Sequence, residues 1–273
     1  MKNAFACRIV AVAHFPEWGF TVFDHPKRLR SILNEEHPDS FGKNLQKSFE
    51  EERSYYSKAD IIICLSDYIH EILCRDYELD AKKISVISNG LTDMADTAVD
   101  KRFLRKKWNV PAKEKVILFA GRMDTVKGLE YTIKAFREVL QACPLCRLVI
   151  AGDGAYKKYA KETQDICTHV AYTGLLDTPQ LYEWYRLADV GVTPSLFETF
   201  GYVAVEMMMH ELPIVATATS GLNEVVDDTC GVKIPLAKPP DCVEIDTSLL
   251  AQKILYLLQH PAEARQMGRN GRK

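Results

Sequence analysis

No sign of charge dominates this chain: 35 basic residues stand against 37 acidic ones, for a net charge of −2. No global field therefore recruits nucleic acid or an anionic membrane. Long hydrophobic runs are also missing. The longest, such as Ile61 to Leu65, fall far short of the roughly 20 apolar residues that cross a bilayer. No leader-like apolar segment with a small-residue cleavage site is visible. The 8 cysteines have no disulfide-like spacing, so reduced thiols and a cytoplasmic location are expected. Cys143 and Cys146 form an isolated CPLC between a predicted helix and a predicted strand. Without a second ligand pair it reads as structural, neither a zinc nor a redox site.

The familiar nucleotide fingerprints are incomplete as well. In GRMDTVKG, Val126 stands where the Walker A pattern needs Gly before its lysine, and Gly128 where it needs Ser or Thr, so no ATPase is implied. Gly152-Asp153-Gly154 lacks the third glycine of a dinucleotide loop and reads first as a tight strand-to-helix turn. No DxD-type acidic cluster appears in the motifs considered below, and no metal is expected.

What is present is ordinary in bulk and specific in order. The 273 residues, 47% hydrophobic and 26% charged, suit a soluble globular chain of one large or two ordinary domains. Apolar runs at Cys7–Ala13, 61–65 and Ile84–Ile87 alternate with helical segments and read as three buried strands of a parallel sheet. The polar stretch Thr92–Asp100 reads as a link. Beyond it, strands are expected at Val116–Ala120, Arg147–Ala151, Val170–Thr173, Val190–Thr193, Ile214–Thr217 and Val232–Ile234. Helices at Gly128–Ala142, Ala155–Cys167, Thr178–Leu187, Phe200–His210, Leu222–Val226 and Asp246–His260 fill the gaps. The fold class is α/β: one complete doubly wound parallel-sheet domain, Rossmann-like, preceded by a partial one. Ligands are expected beyond the carboxyl ends of its strands. The boundaries fall at 1–94, 95–261 and 262–273, the last being the start of a further helix.

The chemistry concentrates in Thr193–Glu224. A strand ends, a loop carries Glu198, a helix opens at Phe200-Gly201, and Glu206 follows a little over one turn later. A helix N-terminus offers free N–H groups and a favourable dipole to an anion. Carboxylates repel phosphate, so Glu198 and Glu206 suit hydroxyl groups instead. The ligand this describes is phosphate at one end and sugar at the other. Arg122 and Lys127, after the strand VILFA, can neutralise a diphosphate. A glycoside hydrolase, which needs two carboxyl groups roughly 5–9 Å apart, is the competing reading. It leaves the helix start and both cations without a use. His14, at the end of the first strand, is a further candidate, although a lone histidine is more often structural.

Taken together, GRxxxxKG (Gly121, Arg122, Lys127, Gly128), GDG (Gly152, Gly154) and PSxxExFGxxxxE resemble the retaining glycosyltransferases of family 4, the glycosyl transferases group 1, of GT-B fold. The third motif supplies Pro194, Ser195, Glu198, Phe200, Gly201 and Glu206, and Pro213 follows. ADIIICLS and Asn89-Gly90 match the end of that family's first domain. The resemblance implies an acceptor-side first domain and a nucleotide-sugar-binding second one. It implies that Gly121, Arg122, Lys127, Gly152 and Gly154 hold the donor with Thr199, Phe200, Gly201 and Glu206. Arg122 and Lys127 would take the diphosphate, and Glu206 the ribose. Glu198 and His14 would be the catalytic residues beside the transferred sugar. It implies retention without a cofactor. The donor would be a UDP- or GDP-sugar and the acceptor a glycan or lipid-linked molecule. Lys27, Arg28 and Arg30 are where peripheral contact with the inner membrane face would occur, though Glu35 and Glu36 beside them favour a solvated helix. Ser220-Gly221 stands where the family has Gly-Gly. The family's further N-terminal strands, its glycine-rich loop and its returning last helix are not in the sequence, so a chain truncated at both ends is expected. The alternatives are a nucleotide-sugar-binding fragment without turnover and an epimerase of the same fold.

Overall fold

In the computed structural model, residues 7–95 and 99–273 are described, so part of the link read at Thr92–Asp100 lies outside them. The first unit runs β1 (Val10–Ala13), α1 (Pro26–Leu33), α2 (Ser40–Ser57), β2 (Ile61–Cys64), α3 (Asp67–Arg75) and β3 (Ile84–Val86). A 3-10 turn at Glu17–Phe20 follows β1. The three strands are parallel in the order β1-β2-β3. Ala11, Ala13, Ile62, Cys64 and Ile84 pack under the helices against Trp18, Leu29, Phe49 and Tyr77. The opposite face is uncovered: Val10 is 51% and Ile87 54% exposed. The run Cys7–Ala13, expected to be a buried strand, is thus shorter and half-buried. With helices on one side only, every second side chain faces outward.

The second unit opens with α4 (Lys101–Lys107) and β4 (Lys115–Ala120), then α5 (Leu129–Ala142), β5 (Cys146–Ala151), α6 (Tyr156–Glu162), β6 (Val170–Gly174) and α7 (Thr178–Leu187). It continues through β7 (Val190–Thr193), α8 (Tyr202–Met209), β8 (Ile214–Thr217), α9 (Ser220–Val225) and β9 (Gly231–Ile234). A small antiparallel pair, β10 (Leu236–Ala237) and β11 (Glu244–Ile245), precedes α10 (Thr247–Gln259) and α11 (Pro261–Gly271). The six-stranded sheet is ordered β6-β5-β4-β7-β8-β9, and its pairings are all parallel. Its four central strands, β5, β4, β7 and β8, are buried on both faces, under Leu129, Ile133, Phe136 and Val139 of α5 with α10 on one side, and under α7 and α8 on the other. That double cover is why they read as continuous apolar runs.

Some elements depart from the sequence expectation. The helix expected at Ala155–Cys167 stops at Thr163, whose hydroxyl donates to the Tyr159 carbonyl at 3.0 Å, and a 3-10 turn continues to His169. The helix at Phe200 begins two residues later, with Gly201 as its N-cap. α4 buries one apolar side chain, Leu104. It is held instead by Lys101 Nζ, 3.0 Å from Asp189 Oδ1. α11 packs on α8, α10 and β9, and Arg272 beyond it pairs with Asp93 at 2.7 Å.

The two units meet around Phe197, which is fully buried. Its ring lies 5.1 Å from those of both Phe15 and Trp18 and 6.3 Å from Tyr68. Glu224, from α9, receives the Asp67 and Tyr68 amides at 2.9 and 2.8 Å and so caps α3 across the boundary.

Candidate functional site

The strand order of the large sheet reverses between β4 and β7, and a crevice opens at the carboxyl ends of such a pair. GRMDTVKG follows β4, and PSLFETFG follows β7. Topology therefore brings the expected cations and carboxylate to one place. Lys127 Nζ lies 2.5 Å from Glu198 Oε2, with the two side chains only 23% and 15% exposed. The close approach of the loops depends on Gly128: a Cβ there would sit 1.9 Å from the Pro194 carbonyl oxygen, and its φ is +67°.

Arg122 points outward, pairs with Asp124 and stacks its guanidinium 5.6 Å from the Phe20 ring of the first unit. Gly121, Gly152 and Gly154 line the loops after β4 and β5, joined by the Met123 amide donating to Asp153 at 2.7 Å and the Ala155 amide donating to Met123 at 2.9 Å. A Cβ on Gly152 would lie 1.9 Å from the Gly121 carbonyl oxygen, so these loops close only with glycine there.

Thr199 and Phe200 are buried, and Gly201 leads into α8. The backbone of Glu198 is clamped by Ser220: the Ser220 hydroxyl donates to the Glu198 carbonyl at 2.5 Å and accepts from the Glu198 amide at 2.9 Å. Glu206 is half-buried and accepts a hydrogen bond from the fully buried Tyr185 hydroxyl at 2.9 Å. Burial raises the Glu206 carboxyl above its ordinary value, and the Tyr185 hydrogen bond partly offsets that. His14 is exposed after β1 and makes no hydrogen bond or ion pair with these residues.

Two features were not read from the sequence. Tyr185 is one, because a tyrosine on an amphipathic helix looks like core. The other is a cavity of about 300 Å³ lined by Gly121, Arg122, Gly152, Leu175, Leu181 and Val203. Leu175 is 81% exposed beside it. Two leucines after the glycine that ends β6 were the available signal. The basic helix is less basic than it looked, since Asp76 holds Arg30 at 2.6 and 3.0 Å. Cys146 is buried, which raises its thiol, and the eight cysteines are all unpaired. Among the described residues no group of three or more His, Cys, Asp or Glu gathers as a metal site would, and no helix is long and apolar enough to cross a membrane.

The profile described as "Glycosyl transferases group 1" matches residues 100–273, and that described as "Glycosyltransferase Family 4" matches 3–93. The chain belongs to the glycosyl transferases group 1. It is similar to an uncharacterized glycosyltransferase of Methanocaldococcus jannaschii, 32% identical over 192 residues, which cover 67% of this chain and 48% of that protein. Sucrose-phosphate synthase from Thermosynechococcus elongatus superposes with a TM-score of 0.77 at 24% identity, covering 99% of this chain and 63% of that one. Anabaena HepE in complex with UDP-glucose does so at 0.74 and 20%, covering 98% and 67%. The fold is GT-B, with two parallel-sheet units. This glycosyl transferases group 1 chain spans about half the length of its Methanocaldococcus relative.

Proposed function

We propose that the chain carries the donor-binding side of a retaining glycosyltransferase, which moves a sugar from a nucleoside-diphosphate sugar to a glycan or lipid-linked acceptor. The observation that carries this reading is the Lys127–Glu198 pair beside the N-terminus of α8. Breaking a sugar–phosphate bond builds negative charge on the departing diphosphate and positive charge on the ring. Lys127, Arg122 and the first amides of α8 stabilise the former, so no metal is required. Glu198 accepts hydrogen bonds from sugar hydroxyls and Glu206 from the ribose. The apolar wall of Leu175, Leu181 and Val203 suits the base. In front-face transfer the departing phosphate oxygen takes the acceptor's proton, which leaves Glu198 an orienting role. His14 approaches the sugar from the first unit in this reading. The UDP-glucose complex of Anabaena HepE supports a UDP-sugar donor, and the unpaired cysteines support a reducing, cytoplasmic setting.

A second reading is donor binding without turnover. A donor-consumption assay with UDP- and GDP-sugars decides between them. Turnover that disappears in Lys127→Ala and Glu198→Ala is expected. Turnover unchanged in both variants removes the site assignment, and conversion of the donor without any acceptor points to an epimerase.

A further inference from the structure

One buried carboxylate between the two units has no part in the chemistry above. Asp24 lies just ahead of α1 in the first unit and is 3% exposed. Its amide donates to the Leu196 carbonyl at 3.1 Å. Its Oδ2 accepts from the Thr219 hydroxyl at 3.2 Å and the Ser220 amide at 3.3 Å, and lies 3.1 Å from Lys238 Nζ. All of these partners belong to the second unit. Oδ2 carries all of these side-chain contacts, while Oδ1 is buried without a hydrogen-bond partner among the described residues, so the charge is tolerated through Oδ2 and its loss leaves those partners unmatched.

Ser220 carries the contact onward. Its φ is +34°, in the left-handed region that a residue with a Cβ rarely occupies. It is held there by a carboxylate on one side and by Glu198 on the other. The Ser220 hydroxyl bonds both backbone groups of Glu198, and the Gly221 amide adds a third bond, to the Glu198 carbonyl, at 2.8 Å. The Glu198 side chain then reaches Lys127. Among the described residues no comparable chain of bonds links Asp24 to Glu206, whose partner Tyr185 lies within the second unit.

We infer that Asp24 is a positioning residue for Glu198, acting through Ser220, so that the first unit sets the sugar end of the donor site. The ribose end, where Tyr185 holds Glu206, is then set within the second unit. The inference rests on the reading of Glu198 as a sugar-facing carboxylate.

The test is Asp24→Asn in the full chain, followed by amide hydrogen exchange and calorimetry. Exchange at the Glu198 and Gly221 amides should quicken about tenfold or more, while strands β7 and β8 keep their protection. UDP should bind as in the wild type, whereas the ratio of UDP to UDP-glucose affinities should shift about tenfold against the sugar nucleotide. Ser220→Ala should give the same shift, and adding Asp24→Asn to it should do little more, because both act in one chain of contacts. Unchanged exchange overturns the inference, as does equal weakening toward both ligands or additive effects of the two substitutions. If exchange responds but the wild type binds neither ligand, the donor reading fails and takes the sugar-site role with it. The mechanical coupling of Asp24 to Glu198 survives that result.

Discussion

Tyr185→Phe removes one oxygen atom from the middle of the second unit and tests how Glu206 is held. The hydroxyl lies 2.9 Å from Glu206 Oε2, and the ring is fully buried, so phenylalanine fills the same space. A hydrogen bond to a charged group contributes about 1.5–3 kcal/mol, and Glu206 is half-buried and partly hydrated, so about 1–2 kcal/mol is expected at pH 8. The pH dependence follows from the direction of the Glu206 shift. Burial raises its folded pKa above the unfolded value, so its favourable contribution is present at low pH and is lost as pH rises through the folded pKa. The Tyr185 hydroxyl counters that loss by stabilising the ionised form. Without it the Glu206 pKa climbs further, and the variant's deficit should be largest above the pKa. At pH 5, where more of the carboxyl is protonated, the deficit should shrink toward the ~0.5–1.5 kcal/mol of a neutral hydrogen bond. Urea unfolding of wild type and variant at pH 5 and pH 8 measures both numbers, and thermal midpoints should differ by roughly 2–4 °C per kcal/mol. An equal deficit at the two pH values, or none at pH 8, refutes the assignment of the Tyr185 bond to an ionised Glu206.

Three further outcomes follow from the same geometry. Gly128→Ala should cost about 1–3 kcal/mol or more and weaken donor binding, because its Cβ meets the Pro194 carbonyl at 1.9 Å and the φ is +67°; denaturation with ligand titration measures both. Phe197→Ala should lose about 3–5 kcal/mol, since the ring fills the junction among Phe15, Trp18 and Tyr68. Unfolding of that variant should also show the two units separating into distinct transitions. In the proposed reading Lys127 and Arg122 hold the diphosphate, so donor binding should be indifferent to EDTA; a loss of affinity restored by a divalent ion contradicts that.

The large sheet was legible because its central strands are buried on both faces. Val190–Thr193 and Ile214–Thr217 are each wholly buried, and such strands appear in sequence as uninterrupted apolar runs. The pairing of Lys127 with Glu198 was legible only as two motifs after two strands. The reversal of strand order between β4 and β7 is what joins them. α4 was not legible, because KRFLRKK buries only Leu104 and is fixed by charge to a residue far along the chain. Nor was the first sheet's exposed side, since Val10 and Val12 look like core, yet among the described residues nothing packs over them. Tyr185 and Asp24 were missed for a common reason. Each acts on a residue distant in sequence, and neither interrupts the periodicity of its own segment.

Calorimetry on the full chain with UDP-glucose and GDP-mannose decides whether the crevice at β4 and β7 takes a nucleoside-diphosphate sugar. Saturable binding of one of them is predicted, strongly reduced by Lys127→Met and by Glu206→Gln. Absence of heat with both donors, or full affinity retained in both variants, would contradict it.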